Sequence, residues 1–296
     1  MHSVHFLKRS IIALIFSTVG FCNDTFAADS FIEALSSGKF DLLLNYRFEH
    51  VDDPTTQKDA YASTLRTVIG YETVRFYGFG VNFELEDVSV IGNELFNDGG
   101  ANGKTRYAVV VDPDGTEINQ AYLSFGKLEN ITFFKNTEIK AGRQLITYRK
   151  APFHRFIGPV VWRQNWQTFD GYTLNNQSLP DTNLHLGYIY NVNRIFGEDN
   201  PTSGLHDKSI DGFLFNVQYD GFSLGRLEGY SYLLDFGTTS TSPTSFFQST
   251  QTFGGRFNGK YELNPKIDLL YAVERLINQT MHKTLMILIV IIILVN

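Results

Sequence analysis

The chain has 296 residues, carries a formal net charge of −6 and is 43% hydrophobic, 15% aromatic and 19% charged, with 26 Phe, 15 Tyr, 25 Gly and one Cys. A chain this rich in aromatics is not disordered, and glycine scattered through its apolar segments argues against a helical bundle or coiled coil. The acidic balance excludes a general nucleic-acid binder, and the lone Cys22 excludes a disulfide framework or a cysteine-based metal site. No cofactor is implied.

Residues 1–27 have the layout of a secretory signal: Lys8 and Arg9, an apolar run from Ile11 to Phe21, then small residues up to Ala27. Cleavage near Ala27 is expected, with delivery to the outer membrane of a Gram-negative envelope. Cys22 as a lipoprotein acceptor is the alternative, and the bulky Phe21 before it suits that poorly.

From Gly38 onward the apolar period is two. Phe40, Leu42, Leu44, Tyr46 and Phe48 alternate with Asp41, Asn45, Arg47 and Glu49; Leu65, Thr67, Ile69 and Tyr71 oppose Thr64, Arg66 and Glu72. Tyr77, Phe79, Val81, Phe83 and Leu85 then oppose Gly78, Gly80, Asn82, Glu84 and Glu86. Similar runs begin near Ile118, Glu138, Phe169, Leu184, Ser209, Leu224, Thr252 and Ile267, giving about eleven strands. Short links near 72–73, 127–135, 178–181, 220–221 and 264–265 alternate with long ones near 50–60, 89–116, 145–168, 194–208 and 236–250. Short turns at one end and long loops at the other are the organisation of an all-β, antiparallel transmembrane β-barrel of the outer-membrane type. A secreted sandwich or solenoid also alternates, but has no reason to alternate its loop lengths.

The barrel is read over 28–275 and as incomplete. Residues 276–296 form an atypical apolar tail, with Leu285 to Val295 uninterrupted, and are expected to lie outside the strand ladder. Eleven strands is an odd number where bacterial barrels are even, which with the tail suggests an altered end near Arg275.

Chemistry is expected in the long loops. Lys140, Arg143, Arg149, Lys150, Arg155 and Arg163 lie between Lys140 and Phe169 with His154, Trp162 and Trp166 and no Asp or Glu. This is a local positive field in an acidic chain, suited to gripping carboxylates, with aromatic faces that suit sugar rings. The competing reading is a structural ion-pair network in which Glu84, Glu86, Glu138 and Asp170 neutralise the arginines. Strict alternation puts Arg143 on the face of Ile139 and Ala141 unless a bulge at Gly142 re-aims it or the residue lies past the membrane rim and snorkels into water. A barrel-embedded enzyme finds little support, because His50, His154, His185 and His206 come without a Gly-x-Ser-x-Gly elbow or a His-Glu-x-x-His motif.

Gly142-Arg143-Gln144, followed after the basic stretch by Trp162-Arg163-Gln164-Asn165-Trp166-Gln167-Thr168-Phe169-Asp170-Gly171, resembles the alginate-export family of outer-membrane porins over roughly 38–275. The resemblance implies a large barrel whose arginine-lined lumen passes anionic polysaccharide or its oligomers by diffusion. The substrate-binding set it implies is Arg143, Arg149, Lys150, Arg155, Arg163, Asn165 and Asp170. The partners are outer-membrane lipid and anionic carbohydrate, with a general or small-organic-anion porin as the alternative; oligomeric state is left open.

Overall fold

The computed structural model describes residues 11–16, 28–128, 131, 135–149, 157–202, 204–237, 249–264, 267–280 and 282–295. Among them are thirteen strands and one short helix. β1 is Ile11–Phe16, α1 Phe31–Ser36, β2 Lys39–Val51, β3 Ala60–Glu72, β4 Phe79–Val90, β5 Gly115–Gly126 and β6 Thr137–Gln144. β7 Thr168–Asn176, β8 Thr182–Asn193, β9 Asp207–Phe222, β10 Gly225–Asp235, β11 Thr250–Asn264, β12 Ile267–Thr280 and β13 His282–Val295 follow. The sheet order is the chain order, β1 to β13, so each strand pairs with its neighbours in sequence. Every register resolved is antiparallel. β2 to β12 are the eleven strands read from the alternation, and the long and short connections fall where the sequence predicts them.

The faces are inverted relative to a water-soluble sheet. On β2, Phe40, Leu42 and Leu44 are exposed while Arg47 and Glu49 are buried; on β4, Phe79, Val81, Phe83 and Leu85 are exposed while Glu86 is buried. β9 repeats this, with Phe213, Phe215 and Tyr219 exposed and Asn216 and Gln218 buried. An apolar outer band over a polar inner face is the pattern of strands solvated by lipid.

The tail corrects the expectation. Residues 282–295 pair with β12 from Thr280 opposite His282 to Ile267 opposite Val295, so 276–296 supplies part of two strands rather than a segment outside the ladder. Alternation is a signal of unlike faces, whereas strand formation needs only backbone pairing and side chains that tolerate extended φ/ψ; the isoleucines and valines here are strong strand formers. At the other end, Ile11–Phe16, inside the segment read as a leader, pairs with β2 from Ile11 opposite Glu49 to Phe16 opposite Leu44.

The described residues fall into two compact units, one within 1–123, 142–169 and 192–208, the other within 124–141, 170–191 and 209–296. In the first, α1 is closed at its start by a reciprocal cap. The Glu33 amide donates to Ser30 Oγ at 3.1 Å, and the Asp29 amide donates to Glu33 Oε2 at 2.9 Å. At the long-loop end the 91–114 connection folds back over β2 and β3. The Tyr61 amide donates to the Leu95 carbonyl at 2.9 Å and the Ala108 amide to that of Lys58 at 2.9 Å. Val51, Ala60, Ala62, Phe96, Ala108 and Val110 form an apolar cluster beneath that loop. The loop then delivers Asp112, fully buried, to the polar face of the strands.

Candidate functional site

The strand period puts Arg47 and Glu49 on one face of β2, Thr64 and Arg66 on one face of β3, and Glu86 on one face of β4, all buried. The registers bring them side by side: Asn45 is opposite Arg66 and Arg47 opposite Thr64 between β2 and β3, and Arg66 is opposite Val88 between β3 and β4. Residues 157–167 of the long β6 to β7 connection pack onto this polar face.

Gln164 holds the loop there. It is wholly buried, and its Nε2 is shared among the Asn45 carbonyl at 3.1 Å, the Thr64 carbonyl at 3.2 Å and Thr64 Oγ1 at 3.1 Å. Its Oε1 accepts from Asn45 Nδ2 at 3.2 Å, and its amide donates to Asp112 Oδ1 at 3.0 Å. The side chain thus ties the loop to backbone and side-chain groups of two already paired strands.

Two guanidiniums converge on two carboxylates beside it. Arg163 Nη1 donates to Glu49 Oε2 at 3.2 Å and lies 3.9 Å from Asp112 Oδ1. Arg47 donates to Glu49 Oε2 and to the Trp162 carbonyl, with its Nη1 3.7 Å from Asp112 Oδ2. Arg66, 1% exposed, donates from Nε and Nη2 to Glu86 Oε2 at 2.9 and 2.6 Å. The Trp166 ring lies 3.9 Å over the Arg66 guanidinium, and its amide reaches Glu86 Oε1 at 3.4 Å. Three guanidiniums therefore meet three carboxylates. Such a cluster is stable only because each charge is paired and hydrogen-bonded, and it fixes the loop against the wall. Asp112, which lies outside the strands, has its carboxyl pushed above the usual range, first by burial, against the opposing pull of Arg47, the Gln164 amide and Arg163.

The other expected residues are placed as follows. Asn165 is buried next to Gln164. Arg143 makes a separate pairing, donating to Glu198 Oε1 at 2.7 Å and to the Ile118 carbonyl at 3.1 Å, while the Glu198 amide donates to Glu117 Oε1 at 2.7 Å. Gly142 sits at φ +131°, and a Cβ there would lie 2.3 Å from the Ala121 carbonyl oxygen, so this position requires glycine. The Arg149 carbonyl accepts from Thr147 Oγ1 at 2.8 Å. Asp170 belongs to the second unit, where it accepts from Asn191 at 3.3 Å. Lys150 and Arg155, with His154, lie outside the described residues.

Of the counter-charges named from sequence, Glu86 pairs with Arg66 of β3 rather than with an arginine of 140–169. Glu138 instead faces Lys140 at 3.7 Å and Lys127 at 3.8 Å. Arg47, Glu49, Arg66 and Asp112 were missed as site residues. The alternation placed Arg47, Glu49 and Arg66 on polar faces, which is the signal that finds them; Asp112 sits in a connection and carries no such signal.

No family model matches the chain, and no curated protein is similar to it in sequence. Solved structures are similar to it in fold. Acinetobacter baumannii OccAB3 superposes with a TM-score of 0.61 at 14% identity, over 88% of this chain and 64% of that one. Acinetobacter baumannii OccAB1 does so at 0.57 and 13%, over 82% and 53%. Pseudomonas aeruginosa OccD3 (OpdP) does so at 0.51 and 15%, over 82% and 49%. These are outer-membrane porins. The fold shared with them is the antiparallel all-β sheet of outer-membrane β-barrels, not closed among the described residues. The chain spans about half to two thirds of the length of these porins. Of the resemblance to the alginate-export porins, what stands is the all-β antiparallel fold; the export family itself has no match. Residues 157–167 are folded onto the polar face of β2 to β4.

Proposed function

We propose that the protein is an outer-membrane porin, delivered after removal of residues 1–27 and with them β1, that passes small organic anions by diffusion past the loop 157–167. The observation that supports this most is the position of Arg163. It is carried by an inward-folded loop, keeps part of its side chain accessible, and shares its carboxylate partners with Arg47. A passing carboxylate can exchange with Glu49 for the same guanidinium fork, and exchange among weak sites is what conduction requires. The test is the reversal potential of the protein in planar bilayers under a salt gradient. Arg163→Ala is expected to lower anion preference, more at low ionic strength, where screening is weakest. An unchanged reversal potential would mean that the cluster only fastens the loop.

Asp112 gives the proposal a pH dependence. Its folded-state value lies above the unfolded one, so protonation sets in at a higher pH than for an ordinary carboxylate, and as pH falls the site loses one negative charge. Anion preference is expected to rise on mild acidification, and to rise much less in Asp112→Asn. For stability the sign is that of a raised acid: the cost of ionising buried Asp112 is absent below the unfolded value and grows as pH rises towards the folded one.

A narrower form of the same reading, the uronate oligomers implied by the sequence resemblance, is favoured by one feature: Trp162, next to Arg163, is 58% exposed. A part-exposed aromatic ring suits a sugar ring, and the guanidinium beside it suits the sugar's carboxylate. Block of the ion current by uronate oligomers at concentrations where acetate does not block would support it.

A further inference from the structure

The second unit carries a trough on its apolar outer face that the porin reading leaves unused. Its volume is about 480 Å³, within the range of ligand pockets. Among its lining residues are Tyr172, Leu186, Tyr188, Phe213, Phe215 and Leu233. Phe213 and Tyr172 are 56% and 55% exposed, so the trough opens to the surroundings of the sheet.

A small outward position contributes to the trough. Ser231 on β10 stands opposite Phe215 of β9 and Phe253 of β11, where its outward neighbours along the strand include Leu233. A serine between two phenylalanines leaves a gap that large side chains elsewhere in the band fill. The trough is also graded. Leu233 is opposite Phe213 and Asp235 opposite Asp211, at the end of β10 that leads into a long connection. Tyr188 Oη donates to Asp211 Oδ1 at 2.8 Å there. A polar mark at the loop end, followed by a mostly apolar channel with Ser231 toward the strand centre, has the amphipathic order of a lipid with its headgroup at the rim.

We propose that this trough binds one acyl chain of a membrane lipid in the leaflet facing the long connections, as a defined site within the lipid-facing band. The proposal rests on the porin reading for the membrane itself. A second copy of the chain is the other occupant an apolar surface admits, but it would present an apolar face of its own and leave the graded polar end unused.

The test is native mass spectrometry of the full chain in detergent with added saturated phosphatidylethanolamine, beside flotation with liposomes. The wild type is expected to retain one lipid per chain. Ser231→Phe, which fills the gap, is expected to lower that retention about tenfold, the worth of one to two buried methylenes, and Ser231→Thr to leave it near wild type. Ser231→Leu is the milder filling variant should the phenylalanine impair folding. Equal retention by wild type and filled variants, with both floating, overturns the site and leaves the porin reading intact. A wild-type dimer that Ser231→Phe converts to a monomer without change in bound lipid overturns it in favour of self-association. Failure of the wild type to float overturns both readings together.

Discussion

Arg66→Met is expected to destabilise the protein by about 3–5 kcal/mol, the cost of stranding one member of a buried ion pair. Glu86, 2% exposed, takes its two charge-assisted hydrogen bonds from that guanidinium at 2.9 and 2.6 Å, and the Trp166 amide at 3.4 Å is too weak to replace them. The Trp166 ring also loses the cation beneath it. The double variant Arg66→Met with Glu86→Leu should recover most of the loss, since removing both charges removes the desolvation cost along with the attraction. Unfolding in urea, followed by the heat-modifiable shift on gels, measures both. A single variant as stable as wild type would mean that water reaches Glu86 freely and that the pair is not closed off by the loop.

Gln164→Leu should act on the pore more than on the barrel. The side chain is isosteric enough to stay buried, but it forfeits the bonds to Asn45 and Thr64 that hold 157–167 on the wall and leaves those groups without their partner. Each buried group so stranded costs about 1–3 kcal/mol, and the cost falls on the docked state of the loop alone. The loop is expected to leave the wall for part of the time, carrying Arg163 away from Glu49 and Asp112. Single-channel recordings should then show a larger conductance, more current noise and a weaker anion preference than wild type. Arg163→Ala, by contrast, should alter preference with little change in conductance, because Gln164 still holds the loop. The two variants therefore separate the fastening of the loop from its charge.

The strands and the loop lengths were legible in the sequence because both are local. A two-residue period records which side of a strand meets an apolar medium, and the alternation of long and short links records at which end of the sheet each lies. The tail was misread for the same reason: residues 285–295 have no unlike faces to record, so the periodicity is silent although the backbone pairs with β12. The basic loop was legible as a run of charge, and its word-level resemblance named Arg163 and Asn165.

What the sequence by itself determined, then, is the strand count from β2 to β12, the face each side chain presents, and the concentration of cations between 140 and 169. Only the tertiary structure decided which charges meet. Arg47 and Arg66 are ordinary polar-face residues of two strands until register places them under the same loop. Asp112 comes from a connection whose path depends on apolar packing against Val51, Ala60 and Ala62. Ion pairing at 3–4 Å depends on the meeting of segments more than a hundred residues apart, such as Glu49 with Arg163, and no local period encodes such a distance.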